Sequence, residues 1–252
     1  MDRTQLGLQL YTLRSLTASD MLGTLAQVAQ MGLAAVEFAG FAETPVTVLR
    51  AALDKLHLRA AGAHVPYAAF DTDLQRVCED LVALGCEYAI VPSIPPAIRD
   101  GARTLDTLPR LLEQWARVCQ DAGLRFAYHN HDFEFAPLDA AGTTLFDALS
   151  TDTTLVDLEV DVFWAEYAGR NAVELIQRHA DRVRLLHLKD IAREQDPADV
   201  PLGRGTLDWT AILATADEAG VRWFIVEQDN PRDPLHDVAS SMRYLEQLNL
   251  RR

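Results

Sequence analysis

Basic residues are scarce. Twenty-three Lys and Arg stand against 37 Asp and Glu, a formal net charge of −14 over 252 residues with a pI near 4.8. Nucleic-acid affinity comes largely from neutralising phosphates, so no nucleic acid is expected as a partner, and an anionic membrane surface is equally ill-suited. Cysteine is limited to Cys78, Cys86 and Cys119. Their number is odd and their spacing is not that of metal ligands, and each lies in or beside an apolar helical stretch. They are expected to be buried small hydrophobes of a reducing compartment. Long hydrophobic runs are also missing. After Met1-Asp2-Arg3-Thr4-Gln5 only Leu6 to Leu10 is apolar, so neither a signal peptide nor a membrane span is expected and the expected location is the cytoplasm. No Ser/Gly-rich linker or low-complexity tract divides the chain. What is present is the composition of a globular protein with a sizeable core, 49% hydrophobic and 24% charged.

Helical periodicity is clearest in Leu108, Leu111, Leu112, Trp115, Val118 and Cys119, which form one apolar stripe. Weaker stripes run through Leu22/Leu25/Ala29, Leu49/Leu53/Leu56, Leu74/Val77/Leu81/Leu84, Ile212/Leu213/Ala216 and Val238/Met242/Leu245. Several close on glycine followed by an apolar residue, at Gly32, Gly85, Gly123 and Gly220, the usual helix stop. Short apolar runs follow: 35–38, 88–91, 125–128, 183–186 and 222–226. With 6–10, 59–62 and 155–160 they make eight strand candidates, near-continuously apolar as parallel strands covered by helices should be. Eight β/α units in a chain of this length predict an α/β fold, a (β/α)8 TIM barrel forming a single domain over residues 1–252. The alternative, an open doubly wound sheet, lacks its Gly-rich phosphate fingerprint, since Tyr11-Thr12-Leu13-Arg14 follows Leu10. The fifth helix, 144–149, is expected to be the weakest unit, short and broken by Asp147.

In such a barrel the chemistry projects from the C-terminal strand ends. Polar residues end many of the predicted strands: Gln9, Glu37, His64, His129 and His131, Glu159 and Asp161, His187 and Lys189, Glu227 and Asp229. Charged groups do not sit in apolar runs without partners or a cation. The two-residue strand period lets three adjacent strands offer Asp161, His187 and Glu227 to one point. Carboxylates with one imidazole and no sulfur suit Mn2+, Mg2+ or Co2+, with Zn2+ less favoured.

These residues also carry a resemblance. Gln9-Leu10-Tyr11-Thr12-Leu13-Arg14, Tyr128-His129-Asn130-His131-Asp132-Phe133-Glu134-Phe135, Asp161-Val162-Phe163-Trp164, His187-Leu188-Lys189-Asp190 and Pro201-Leu202-Gly203-Arg204-Gly205-Thr206-Leu207-Asp208-Trp209 together resemble the xylose-isomerase-like TIM-barrel superfamily. Within it they are most similar to the sugar phosphate isomerase/epimerase group, which includes inosose dehydratases and, more distantly, endonuclease IV. The resemblance spans essentially the whole chain. It implies one divalent metal ion, Mn2+ first, held by an acid on strand 5, an aspartate on strand 6, a histidine on strand 7 and a glutamate on strand 8. Asp161, His187 and Glu227 fill three of these places. On strand 5 this chain departs, with His129 where many relatives carry glutamate and Glu134 five residues further on. Either could be the ligand, and Glu134 is the expectation, with the histidines facing substrate.

The implied activity is that of a sugar or polyol isomerase or epimerase working through a metal-stabilised enediolate beside a carbonyl. His129, His131, Glu227 and Lys189 are the expected proton-transfer residues, and His64, Glu37, Arg204, Gln9 and Trp164 the expected substrate contacts. Replacing glutamate by histidine, of unperturbed pKa near 6.5 against about 4.3, disfavours symmetrical epimerisation. It favours one-sided abstraction, as in a dehydratase acting on a keto-sugar or inosose. An endonuclease IV-like phosphodiesterase is disfavoured by the charge, and a non-catalytic sugar-binding barrel is the remaining alternative. Each residue also has a plainer reading: a buried ion-pair cluster for Asp161, His187 and Glu227, a salt bridge to Asp229 for Lys189, packing for Phe163 and Trp164. His57, His179 and His236 are expected on helix surfaces. The expected partner is a small sugar or polyol. Short loops leave access control to themselves or to a neighbouring subunit, so a homo-oligomer is a further expectation.

Overall fold

The computed structural model describes residues 1–99, 101–193 and 198–248. Eight parallel strands close a barrel: β1 Leu6–Gln9, β2 Ala35–Phe38, β3 Arg59–His64, β4 Cys86–Val91, β5 Arg125–His129, β6 Val156–Asp161, β7 Val183–Leu188 and β8 Trp223–Val226. Each pairs with its sequence neighbours and β8 returns to β1, with Leu6 opposite Phe224 and Leu8 opposite Val226. The helices are α1 Arg14–Ser19, α2 Met21–Gln30, α3 Val46–Leu56, α4 Tyr67–Leu84, α5 Gly101–Asp121, α6 Leu145–Asp152, α7 Val162–Tyr167, α8 Ala172–Arg178, α9 Trp209–Glu218 and α10 Pro234–Gln247. No described helix is long and apolar enough to cross a membrane.

Strand alternation separates two cores. Outward residues such as Leu8, Val36, Phe126, Tyr128, Leu158 and Leu186 pack under the helices, while Ala35, Ala61, Tyr88, Ile90, Ala127, Leu185, Trp223 and Ile225 fill the barrel. On four strands the inward side chain two residues beyond the last member of this inner set lands at the C-terminal mouth. That is how Glu37, His129, His187 and Glu227 arrive there, two residues after Ala35, Ala127, Leu185 and Ile225. In α5, Leu108, Leu112, Trp115 and Cys119 of the expected stripe are buried, whereas Val118 is 37% exposed at its edge. The glycines at 32, 85, 123 and 220 all take positive φ. Cys78, Cys86 and Cys119 are buried and unpaired.

Two local expectations change. Asp147 does not break the fifth helix but starts α6: its N–H donates to Thr144 Oγ1 at 3.1 Å, and its carboxylate accepts the Thr144 N–H at 3.2 Å. The chain after β7 also folds back as an antiparallel ribbon, Asp190–Ala192 against Ala198–Val200. It is anchored by Asp190, which is fully buried. The Asp190 carboxylate accepts N–H groups from Gly203 at 2.9 Å, Gly205 at 3.1 Å, Leu207 at 3.3 Å and the Trp209 indole at 2.9 Å. Two sequence strings, His-Leu-Lys-Asp and Gly-Arg-Gly-Thr-Leu-Asp-Trp, are thus halves of one structure. Gly205 is required by proximity, since a Cβ there would stand 2.2 Å from Asp190 Oδ1 and 2.6 Å from the Ile191 carbonyl oxygen.

The turn after β5 is pinned in a related way. Tyr128 points outward from the barrel, and its hydroxyl donates to Glu134 Oε1 at 2.7 Å. The other oxygen of Glu134 accepts the His131 N–H at 2.8 Å. Burial pushes the Glu134 carboxyl up to about 7 against these stabilising hydrogen bonds.

Two outcomes are expected. Gly205→Ala should cost roughly 1–3 kcal/mol in urea unfolding through overpacking. Glu134 has a folded-state pKa above its unfolded value, so its contribution is fully present below the unfolded pKa and is lost as pH rises towards 7. Wild-type stability should therefore fall relative to Glu134→Gln between pH 4.5 and 8, by up to roughly 3 kcal/mol; parallel stability–pH curves for the two proteins would contradict this.

Candidate metal centre and active site

Asp161 ends β6 and also caps α7: its side chain accepts the Trp164 N–H through Oδ1 at 3.1 Å, which leaves Oδ2 facing the barrel axis. Asn130, itself buried, fixes that strand end by accepting the Asp161 N–H at 3.1 Å. Asp161 lies opposite His187 in the ladder, as His187 lies opposite Ile225, two residues before Glu227. The barrel thus brings Asp161, His187 and Glu227 together, and the fourth member from β5 is His129. One donor atom from each of these four lies within 4.8 Å of the others.

Glu134 is not in that group. It leaves the β5 end through the 131–135 turn and bonds Tyr128 on the outer side of the strand, because Tyr128 and His129 point to opposite faces. Glu134, the expected strand-5 ligand, thus lies apart from Asp161, His187 and Glu227, and His129 lies with them.

His187 is held from both sides. Its Nε2 is 2.9 Å from Glu37 Oε1 and its Nδ1 is 2.8 Å from Glu227 Oε2. Gln9 in turn donates to Glu37 at 2.7 Å. Gln9 and Glu37, expected as substrate contacts, are fully buried and outside the cavity lining, and through Glu37 they hold His187. With its Nε2–H given to Glu37, a neutral His187 presents an Nδ1 lone pair to Glu227. Two groups that both accept can sit at that distance only across a proton or a cation. In the ion-free protein a proton fills this role: burial opposes the charge, but Glu159 and Glu227 raise the His187 pKa well above its ordinary value. The oxygen- and nitrogen-rich donor set with this outer carboxylate fits a divalent ion.

A second, deeper group overlaps the first: His64, His129, Glu159 and His187. His64 Nε2 lies 2.7 Å from Glu159 and 3.1 Å from Glu37. Burial disfavours its charge, yet Glu37 and Glu159 drive its pKa up to about 10. The His64 and His187 rings stack at 5.4 Å. Burial, then the neighbouring imidazoles, push His129 well below its usual pKa. His129 Nδ1, Glu159 Oε1 and Glu37 Oε2 are buried without a hydrogen-bond partner. Glu159 was visible in the sequence as a strand-end acid two residues before Asp161, but nothing there assigned it a role.

Lys189 is 1% exposed and contacts Asp161 and Glu227 at 3.4 Å and Asp229 more closely. Burial works against its charge, but these three acids raise its pKa above the ordinary lysine range. These contacts favour its charged form. Burial and Lys189 in turn push His131 down to about 4, and its Nδ1 has no partner. Burial pushes Asp161 up to about 6 against the pull of Lys189.

Above these groups opens a cavity of about 480 Å3 bounded by Tyr11, His64, His129, His131, Lys189 and Glu227. Trp164 packs on His131 with ring centroids 5.4 Å apart, while Arg204 lines a neighbouring cavity. His57 and His236 are exposed and His179 packs half-buried against Phe146, all away from the mouth.

The chain is 28% identical over 259 residues to an inosose dehydratase of Geobacillus kaustophilus, covering 83% of this chain and 80% of that one. In structure it is similar to a sugar phosphate isomerase/epimerase of Parabacteroides distasonis, with a TM-score of 0.83, 22% identity and 96% and 97% of the two chains covered. It is also similar to a D-allulose 3-epimerase of Methylomonas sp., with a TM-score of 0.72, 14% identity and 98% and 99% covered. The family model for xylose isomerase-like TIM barrels matches residues 25–248. With a closed eight-stranded barrel and polar strand ends gathered at one mouth, the chain belongs to the xylose isomerase-like TIM-barrel family.

Proposed function

We propose that the protein is a divalent-metal-dependent enzyme that removes a proton next to the carbonyl of a keto-sugar or keto-polyol and then eliminates water, as a dehydratase. The carrying observation is the asymmetry of the cavity wall. It presents two imidazoles whose charge is disfavoured, His129 among the metal donors and His131 outside them, together with a cation, Lys189, locked in place by Asp161, Glu227 and Asp229. The inosose dehydratase likeness over most of the chain supports the same reading.

His129, Asp161, His187 and Glu227 would hold a divalent ion, which would supply Lewis-acid polarisation of substrate oxygens. The chain's own groups account for the rest. His131 lines the cavity, and its imidazole accepts the proton from the carbon beside the carbonyl. Lys189 and the His64 imidazolium set positive charge where the carbonyl oxygen gains negative charge. A hydroxyl on the next carbon leaves as water with a proton returned from the site, and a carbon–carbon double bond forms in conjugation with the carbonyl. Glu227 also lines the cavity. A carboxylate on a second face is what isomerisation or epimerisation needs, so an isomerase or epimerase is the second reading. The proposed compartment is the cytoplasm, for which three buried free thiols speak.

Isothermal titration should show one Mn2+ per chain, lost in Asp161→Asn and His187→Ala and kept in Glu134→Gln. Incubation with a panel of inososes and keto-sugars in D2O should give α-deuterium exchange and an unsaturated ketone. Exchange with return of the epimer alone would select the second reading, and absence of both metal and exchange would overturn the enzyme. His131→Asn should slow exchange by about 10²–10⁴-fold while leaving Mn2+ binding in place. Because His131 must be unprotonated to act, the rate limb it controls should be flat above neutrality and fall as pH drops towards 4; a base limb centred near 7 would point to another group.

A further inference from the structure

The reaction cavity has a neighbour. A second cavity of about 620 Å3 shares Asp229 and Asn230 with it and is lined by Phe163, Trp164, Arg204 and Arg232. Its three acids are already engaged: Asp229 by Lys189, Asp199 by the Asn230 N–H at 2.9 Å and Asp237 by the Arg232 N–H at 3.0 Å. The guanidinium groups of Arg204 and Arg232 make no ion pair or side-chain hydrogen bond among the described residues. Exposed arginines are often merely solvated, but Arg204 differs in its backbone. The residues on either side of it, Gly203 and Gly205, both donate their N–H groups to buried Asp190. The guanidinium is thus carried on a loop that is fixed before any ligand arrives, which lowers the ordering cost of binding. Arg204 follows β7 and Arg232 follows β8, and the barrel sets both in the same cavity. Loops following the seventh and eighth strands are where barrels of this architecture commonly hold anions.

We infer that the second cavity takes an anionic end of the substrate, a carboxylate or phosphate ester bound by Arg204 and Arg232, while the carbonyl end occupies the reaction cavity. This rests on the proposed reaction for the carbonyl end and names the substrate class as an acidic keto-sugar. Paired planar guanidinium groups suit the oxygens of either anion.

The test is calorimetric titration of the Mn2+-loaded protein with D-fructose, D-fructuronate, D-fructose 6-phosphate and inorganic phosphate, beside an Arg204→Gln/Arg232→Gln double variant checked for folding by circular dichroism. At least one acidic ketose should bind about tenfold or more tighter than D-fructose, and the double variant should abolish that difference. The preferred ketose tells carboxylate from phosphate ester, and inorganic phosphate should compete with it. No anion binding at millimolar concentration, a preference undiminished in the folded double variant, or phosphate binding independent of the ketoses would each overturn the inference. Binding is read without turnover, so Arg-dependent anion binding with no proton exchange would remove the proposed reaction and leave this site. Exchange on a neutral ketose with no Arg-dependent preference would do the reverse.

Discussion

Charge compensation at the closed mouth of the barrel is the constraint on which the remainder of the site depends. Glu37, Glu159, Asp161 and Glu227 are each nearly inaccessible to water, and Asp229 lies just above them. So many acids could not share so small and dry a volume unless imidazoles, an ammonium group or a metal ion stood among them. Lys189 serves Asp161, Glu227 and Asp229 on one side; His64 and His187 serve Glu37 and Glu159 on the other. The two compensated clusters meet at His129 and His187, which belong to both donor groups.

Compensation also biases protonation. Three acids favour the charged form of the lysine they grip, whereas burial and that charge lower the basicity of the histidine beside it. His131 and Lys189 are therefore distinguished by their surroundings, not by their intrinsic pKa values. The same economy shapes the loops. One buried carboxylate, Asp190, satisfies the backbone of the loop that carries Arg204, and Glu134 satisfies the turn that carries His131. Each links a barrel strand to a residue that lines a cavity.

Much of this was legible in the chain. Apolar runs at near-regular spacing and glycine helix stops specify eight β/α units, and a two-residue period places Asp161, His187 and Glu227 on inward faces. Periodicity is local and survives without the fold. Glu134 shows the limit. Five residues beyond His129 it looks able to curl back to the mouth, but Tyr128 points outward and captures it. Asp147 shows another, since a residue poor in a helix interior is favourable in its first turn.

The sequence by itself determined the barrel, its single-domain organisation and the acid- and histidine-rich character of its strand ends, because these follow from alternation and composition. Only the tertiary structure decided that Gln9 and Glu37 lie beneath His187, that Lys189 is locked among acids and that Glu159 joins a second donor group. It also decided that Arg232 stands in one cavity with Arg204. The contact of Glu37 with His187 joins residues 150 positions apart and arises only when β8 closes against β1.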